Sequence, residues 1–189
     1  MHYEVHITVE TGDIGKWVDF CGRLGVKPLC IQLSTGEYSN QVMLALSRQC
    51  EREEIDAVVA SLQSKIRLAD YIILRTKLEC PLNSGGDNSS VYDECHIKLL
   101  LTKEEGEDLE EYCRDLFLFT STNVLSWKEG CQKWFVTTRS YSGDVIEARE
   151  IFQSALTAIQ SRFSVLRMDM ERVLYDTWPE IDKGWVVTM

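Results

Sequence analysis

Tyr3-Glu4-Val5-His6-Ile7-Thr8, at the start of the chain, returns with one residue of slippage as Tyr92-Asp93-Glu94-Cys95-His96-Ile97-Lys98. Aligned on Glu-x-His-Ile, Glu4 and His6 match Glu94 and His96. A second echo follows, with Leu74-Arg75-Thr76-Lys77-Leu78-Glu79 answered by Leu166-Arg167-Met168-Asp169-Met170-Glu171. Glu4 and Glu79 lie 75 residues apart, Glu94 and Glu171 77. Blocks at matching places in two successive stretches mark an internal duplication. A chain of 189 residues then divides into two packed halves.

Periodicity gives each half the same plan. Residues 3–10 alternate as a strand, with Tyr3, Val5, Ile7 and Val9 on one face and His2, Glu4, His6, Thr8 and Glu10 on the other. Ile14, Trp17, Val18, Cys21 and Leu24 follow at helical spacing, and Gly25 closes that helix. Strands at 28–33 and 41–46, a helix carrying Ile55, Val59, Leu62 and Ile66, and a strand at 71–79 complete the first unit. In the second, strand 91–101 precedes a helix opened by Thr102-Lys103-Glu104-Glu105, a capping-box pattern. Strands near 122–127 and 132–139, a helix from Val145 to Ile159 and a strand at 163–173 follow. The order β-α-β-β-α-β predicts an α+β protein, a tandem duplication of a ferredoxin-like unit packed as a pseudo-dimer. Its parts are repeat 1–81, a Gly/Ser/Asn linker at 82–90, repeat 91–173 and an aromatic tail at 174–189.

Thirty acidic residues against twenty basic ones leave a net charge of −10, which argues against a duplex nucleic-acid binder. A basic pocket inside an acidic chain stays compatible with that total. The cysteine count, seven, is odd and contains no CxxC, which fits buried thiols in a reducing compartment. The N-terminus carries no signal-peptide pattern, and no apolar run approaches the roughly 20 residues of a membrane span. The expectation is a cytoplasmic protein without a membrane partner.

A ferredoxin-like sheet hides one face under its helices, and the alternation places the ionisable residues on the other. Glu4, His6, Thr8, Arg75, Lys77 and Glu79 fall there in the first half; Glu94, His96, Lys98, Arg167, Asp169 and Glu171 fall there in the second. If the two open faces meet, His6 and His96 share one cleft as general acid and base. Arg75, Arg167, Lys98 and Thr8 then hold an anionic, phosphate-bearing small molecule, with Glu4 and Glu94 orienting the imidazoles. The same pattern also describes the solvated side of a sheet laced with ion pairs.

His6-Ile7-Thr8 resembles the His-x-Thr strand of the two-histidine phosphoesterases, although the second copy reads His96-Ile97-Lys98. That resemblance implies phosphodiester hydrolysis by the histidine pair. His6-Ile7-Thr8-Val9 with Leu24-Gly25-Val26-Lys27-Pro28-Leu29 resembles the vicinal-oxygen-chelate modules, which implies a divalent metal between the halves, reached by His2, Glu4, His6 and His96. The helix before the last strand departs from the β-α-β-β-β order of those modules. No metal is assigned, and the cofactor is left unknown. The Tyr…His strand and the tail resemble a two-repeat bacterial-type family, which implies the fold unit and no activity. Tyr175, Trp178 and Trp185 make the tail either a cover over the cleft or the docking surface of a non-catalytic scaffold.

Overall fold

Alternating apolar residues and well-marked helix ends set the elements. The computed structural model describes residues 1–84 and 90–186. Eight strands form, β1 (His2–Glu10), β2 (Lys27–Leu33), β3 (Asn40–Gln49), β4 (Ile72–Pro81), β5 (Tyr92–Leu101), β6 (Phe119–Asn123), β7 (Gln132–Ser140) and β8 (Arg167–Asp176). Four helices join them, α1 (Ile14–Leu24), α2 (Arg52–Leu68), α3 (Lys103–Asp115) and α4 (Val145–Gln160). The Asp13 carboxylate caps α1 at the Lys16 N–H, and Gly25 ends it in the left-handed region at φ 68°. Thr102 and Glu105 make the reciprocal capping box of α3, and Asp144 caps α4.

The eight strands make one closed antiparallel barrel in the order β1-β3-β2-β6-β7-β5-β8-β4. This overturns the expectation of two ferredoxin-like units packed as a pseudo-dimer. A four-stranded sheet standing alone would leave β2 and β4 as bare edges, and likewise β6 and β8. Unpaired N–H and C=O rows are costly to leave, and closure removes them. β2 pairs with β6 (Ile31↔Asn123 to Leu33↔Ser121), and β4 with β8 (Lys77↔Asp176 to Pro81↔Glu171). The uncovered faces therefore curl into a common lumen instead of stacking as two planes.

The apolar faces point outward, under the helices. Val5, Ile7, Leu44 and Leu78 pack with Trp17, Ile55 and Ile66 of α1 and α2. Cys95, Ile97, Leu99 and Val136 pack with Leu109, Phe152 and Ile159 of α3 and α4. Trp17 is fully buried and donates its indole N–H to the Met43 carbonyl at 3.2 Å. Gly106 of α3 lies flat against the Trp134 indole, and a Cβ there would overlap the ring. Gly106→Ala is expected to cost about 1–3 kcal/mol by overpacking, read as a lower urea midpoint at unchanged m. An unaltered midpoint would mean that α3 moves freely away from β7.

Several boundaries differ from expectation. β6 begins at Phe119, three residues early, and Val124–Ser126 is a 3-10 turn. The run Thr120-Ser121-Thr122 lacks apolar alternation, so periodicity passes over it. β8 continues to Asp176, so the tail starts later than Leu174. Leu82, placed in the linker, is buried in the second apolar cluster, and its N–H donates to the Met170 carbonyl. Residues 85–89 of that linker lie outside the described residues, as do 187–189 of the tail.

Candidate functional site

Every second strand residue faces the lumen, which leaves a cavity of about 510 Å³. All eight residues expected at a site line it: His6, His96, Arg75, Arg167, Lys98, Thr8, Glu4 and Glu94. They do not play equal parts. Glu94 is wholly buried and accepts from three cations, Arg139 Nε at 2.5 Å, Lys77 Nζ at 2.8 Å and His96 Nε2 at 3.0 Å. Lys77 also reaches Glu79 Oε1 at 2.8 Å. His6 Nε2 lies 3.1 Å from Glu79 and 3.3 Å from Glu4, while His96 Nδ1 meets Thr137 Oγ1 at 2.9 Å. One lattice of alternating charges therefore runs along β1, β4, β5 and β7.

Its titration follows from the contacts. Burial alone would push the His6 pKa down, but hydrogen bonds donated to the Glu4 and Glu79 carboxylates outweigh it and hold it at about 9. For His96, burial is likewise overcome by the Glu94 carboxylate, and the pKa rises. The bond to His6 brings Glu4 down to about 2. Glu79 is also lowered to about 2, because Lys77 and His6 override its burial. Glu171 goes the other way: burial, then the charges of Glu79 and Glu4, raise it to about 7. It lies 3.7 Å from His96 Nε2 and is the lumen carboxyl poised to exchange a proton near neutrality.

Arg75 is a clasp. Its guanidinium binds Asp176 at 2.5 and 2.9 Å, Asp182 at 3.0 Å and the Tyr92 hydroxyl at 3.0 Å. Arg139 reaches the same Asp182 at 2.6 Å and stacks on the Tyr92 ring, 4.4 Å from its centroid. The tail thus plugs one end of the barrel. Trp185 packs on Leu33 and donates its indole N–H to the Thr120 carbonyl, while Trp178 meets Tyr38 edge-on.

The other end is rimmed by cations. Lys27 and Lys133 are exposed and make no ion pair among the described residues; Lys98 and Arg167 pair with Asp169 at 2.5 and 2.9 Å. Burial and then the Lys133 charge depress the Lys27 pKa, as expected where ammonium groups converge. Lys27, Lys133 and Arg139 were not picked out from sequence. Alternation along Gln132–Ser140 puts Lys133, Phe135, Thr137 and Arg139 on one face, so the signal for two of them was present.

Glu79, Glu94 and His96 bring three ligand-type atoms within 4.8 Å of one another. Lys77 already lies 2.8 Å from both of those carboxylates, so an ammonium holds the place a cation would take. His2 turns to Ser47 Oγ at 2.8 Å, away from the set with His6 and His96 that a chelate would use. Lys98, standing where the phosphoesterase motif has a hydroxyl, is tied to Asp169. In the second half the phosphoesterase likeness therefore stops at the histidine itself.

The chain is thus an eight-stranded antiparallel barrel with a polar lumen, wrapped by four helices. No helix among the described residues is long and apolar enough to cross a membrane. No protein-family model and no curated protein matches the chain. Solved structures that are similar over most of its length include a candidate glycine cleavage system transcriptional repressor, 14% identical with a TM-score of 0.28, covering 90% of this chain and 98% of that one. Another is the small subunit of acetolactate synthase from Thermotoga maritima, 13% identical with a TM-score of 0.29, covering 94% and 96%. A third is a candidate monooxygenase from Fusobacterium nucleatum, 10% identical with a TM-score of 0.33, covering 98% and 95%. At these scores none of the three bears on function.

Proposed function

We propose that the barrel is a small-molecule-binding protein whose lumen takes an anionic, phosphate-bearing ligand through the cation-rimmed end. One observation carries the reading: of the seven lysines and arginines lining the cavity, Lys27 and Lys133 stand exposed at its rim with no ion pair among the described residues, in a chain of net charge −10. Two unpaired ammonium groups at the mouth draw an anion there in spite of the acidic total. Its volume lies within the range of small-ligand sites, roughly 300–1,000 Å³.

Binding is better supported than turnover. Hydrolysis of a phosphodiester by paired histidines needs one imidazole neutral, to take a proton from water. Carboxylates beside both rings raise both pKa values, His6 to about 9, and they also occupy Nε2 of each ring, so neither Nε2 is open to a water. The rings serve instead as members of the ion-pair lattice, His6 with Glu4 and Glu79 and His96 with Glu94.

Thermal shift with inorganic phosphate and pyrophosphate at low salt tests this reading. A ligand at 100 times Kd stabilises by about 2.7 kcal/mol, which raises Tm by several degrees. The rise is expected in wild type and lost in Lys27→Glu/Lys133→Glu, whose side chains lie at the exposed rim. No rise with either anion, or an equal rise in the double variant, would contradict the proposal.

A further inference from the structure

The lumen has two unlike walls. β5, β8, β4 and β1 are consecutive round the barrel, and they carry most of the charged lattice, which Arg139 joins from β7. β3, β2, β6 and β7 form the opposite wall, where Met43, Leu29, Ile31, Leu33 and Phe135 make an apolar strip beside the polar Gln41, Ser121, Asn123 and Thr137. Among the described residues, Leu29, Met43 and Phe135 belong to none of the packed apolar clusters. Their side chains face a hollow of about 510 Å³, not a neighbouring core.

These residues are also ordered along the axis. On β2 the lumen-facing positions run Lys27, Leu29, Ile31, Leu33, from the exposed rim to the Trp185 plug. On β7 they run Lys133, Phe135 and onward from the same rim. At about 3.3 Å per residue, the β2 ladder is roughly 20 Å deep. Two ammonium groups without ion-pair partners thus stand above an apolar strip. The facing wall is already neutralised by its own pairs, Lys77 with Glu79 and Glu94, and His6 with Glu4 and Glu79. A wholly polar anion would leave the apolar strip unmatched and would have to compete with those pairs for its hydrogen bonds.

We infer that the ligand is an amphiphilic organic anion, whose anionic group meets Lys27 and Lys133 at the rim while an aryl or alkyl body lies against Leu29, Ile31, Met43 and Phe135. This rests on the reading of the lumen as an anion site and adds the chemical class of the ligand. Burying a ring against that strip removes apolar surface from water, an effect absent for a bare phosphate.

Calorimetric titration at low salt with inorganic phosphate, phenyl phosphate and 1-naphthyl phosphate tests the inference. Affinity is expected to climb about tenfold or more along the series. Leu29→Asn and Phe135→Asn should bring 1-naphthyl phosphate down toward inorganic phosphate and leave inorganic phosphate within about twofold. Where a variant melts early, the wild-type series decides alone. Equal affinity for all three anions would overturn the inference while leaving the anion site standing. Absence of binding by all three would remove both.

Discussion

Glu94→Ala is expected to be the most damaging single change in the barrel, costing about 3–5 kcal/mol or preventing folding. Lys77, His96 and Arg139 converge on that carboxylate, from β4, β5 and β7, and Lys77 and Arg139 are almost shut off from water. Removing one partner of a buried pair costs the other its compensation, and here three side chains each lose one carboxylate contact together. Part of the loss is local, because Arg139 keeps Asp182 and Lys77 keeps Glu79. Glu94→Gln fills the same space without the charge and should recover only a fraction. Glu150→Ala, on the exposed face of α4, should stay within about 0.5 kcal/mol of wild type. Urea unfolding of the three variants checks the order. A Glu94→Ala protein within about 1 kcal/mol of wild type would show that the lattice is not held from its centre.

Stability should peak near pH 5–6 and fall by a few kcal/mol toward pH 9. His6 binds its proton more tightly when folded, at about 9 against 6.5, so its contribution is complete below pH 6.5 and is lost as pH rises through 9. Glu171 is raised too, from 4.5 to about 7, so its contribution is complete below pH 4.5 and is lost as pH rises through 7. Glu4 and Glu79 are lowered to about 2; theirs is present above pH 4.5 and lost as pH falls through 2. At 1.36 kcal/mol per unit and with His6 partly open to solvent, its share is about 2–3 kcal/mol. Denaturation midpoints at pH 5.5, 7 and 9 should therefore decline in wild type. His6→Gln should flatten the upper interval and Glu171→Gln the lower. A His6→Gln protein that keeps the wild-type slope would remove the imidazolium from the account.

The elements were legible because each carries its own local signal. Alternation at Tyr3–Val9 marks β1, the Asp13 and Gly25 caps bound α1, and Thr102 with Glu105 opens α3. Closure was not legible. It depends on backbone hydrogen bonds between strands about 90 residues apart, such as Ile31 with Asn123, and those bonds leave no pattern in either strand. The candidate residues came from alternation alone, which says which face a side chain takes and not what that face meets. Arg75 was therefore read as a ligand contact, although Asp176 and Asp182 occupy it. Lys27 and Lys133 went unnoticed because their importance comes from lying together at one rim, on strands separated by β6. Glu171 stood in the pattern, but its raised pKa arises from burial and from carboxylates on other strands.

Backbone amide shifts of the ¹⁵N-labelled protein, followed during titration with phenyl phosphate, test most directly whether both halves of the chain build one anion site. The account predicts a single 1:1 isotherm in which signals near Lys27 and Leu29 on β2 and near Lys133 and Phe135 on β7 move together and saturate at the same concentration. Shifts confined to the helices, or to one half of the chain, would contradict it.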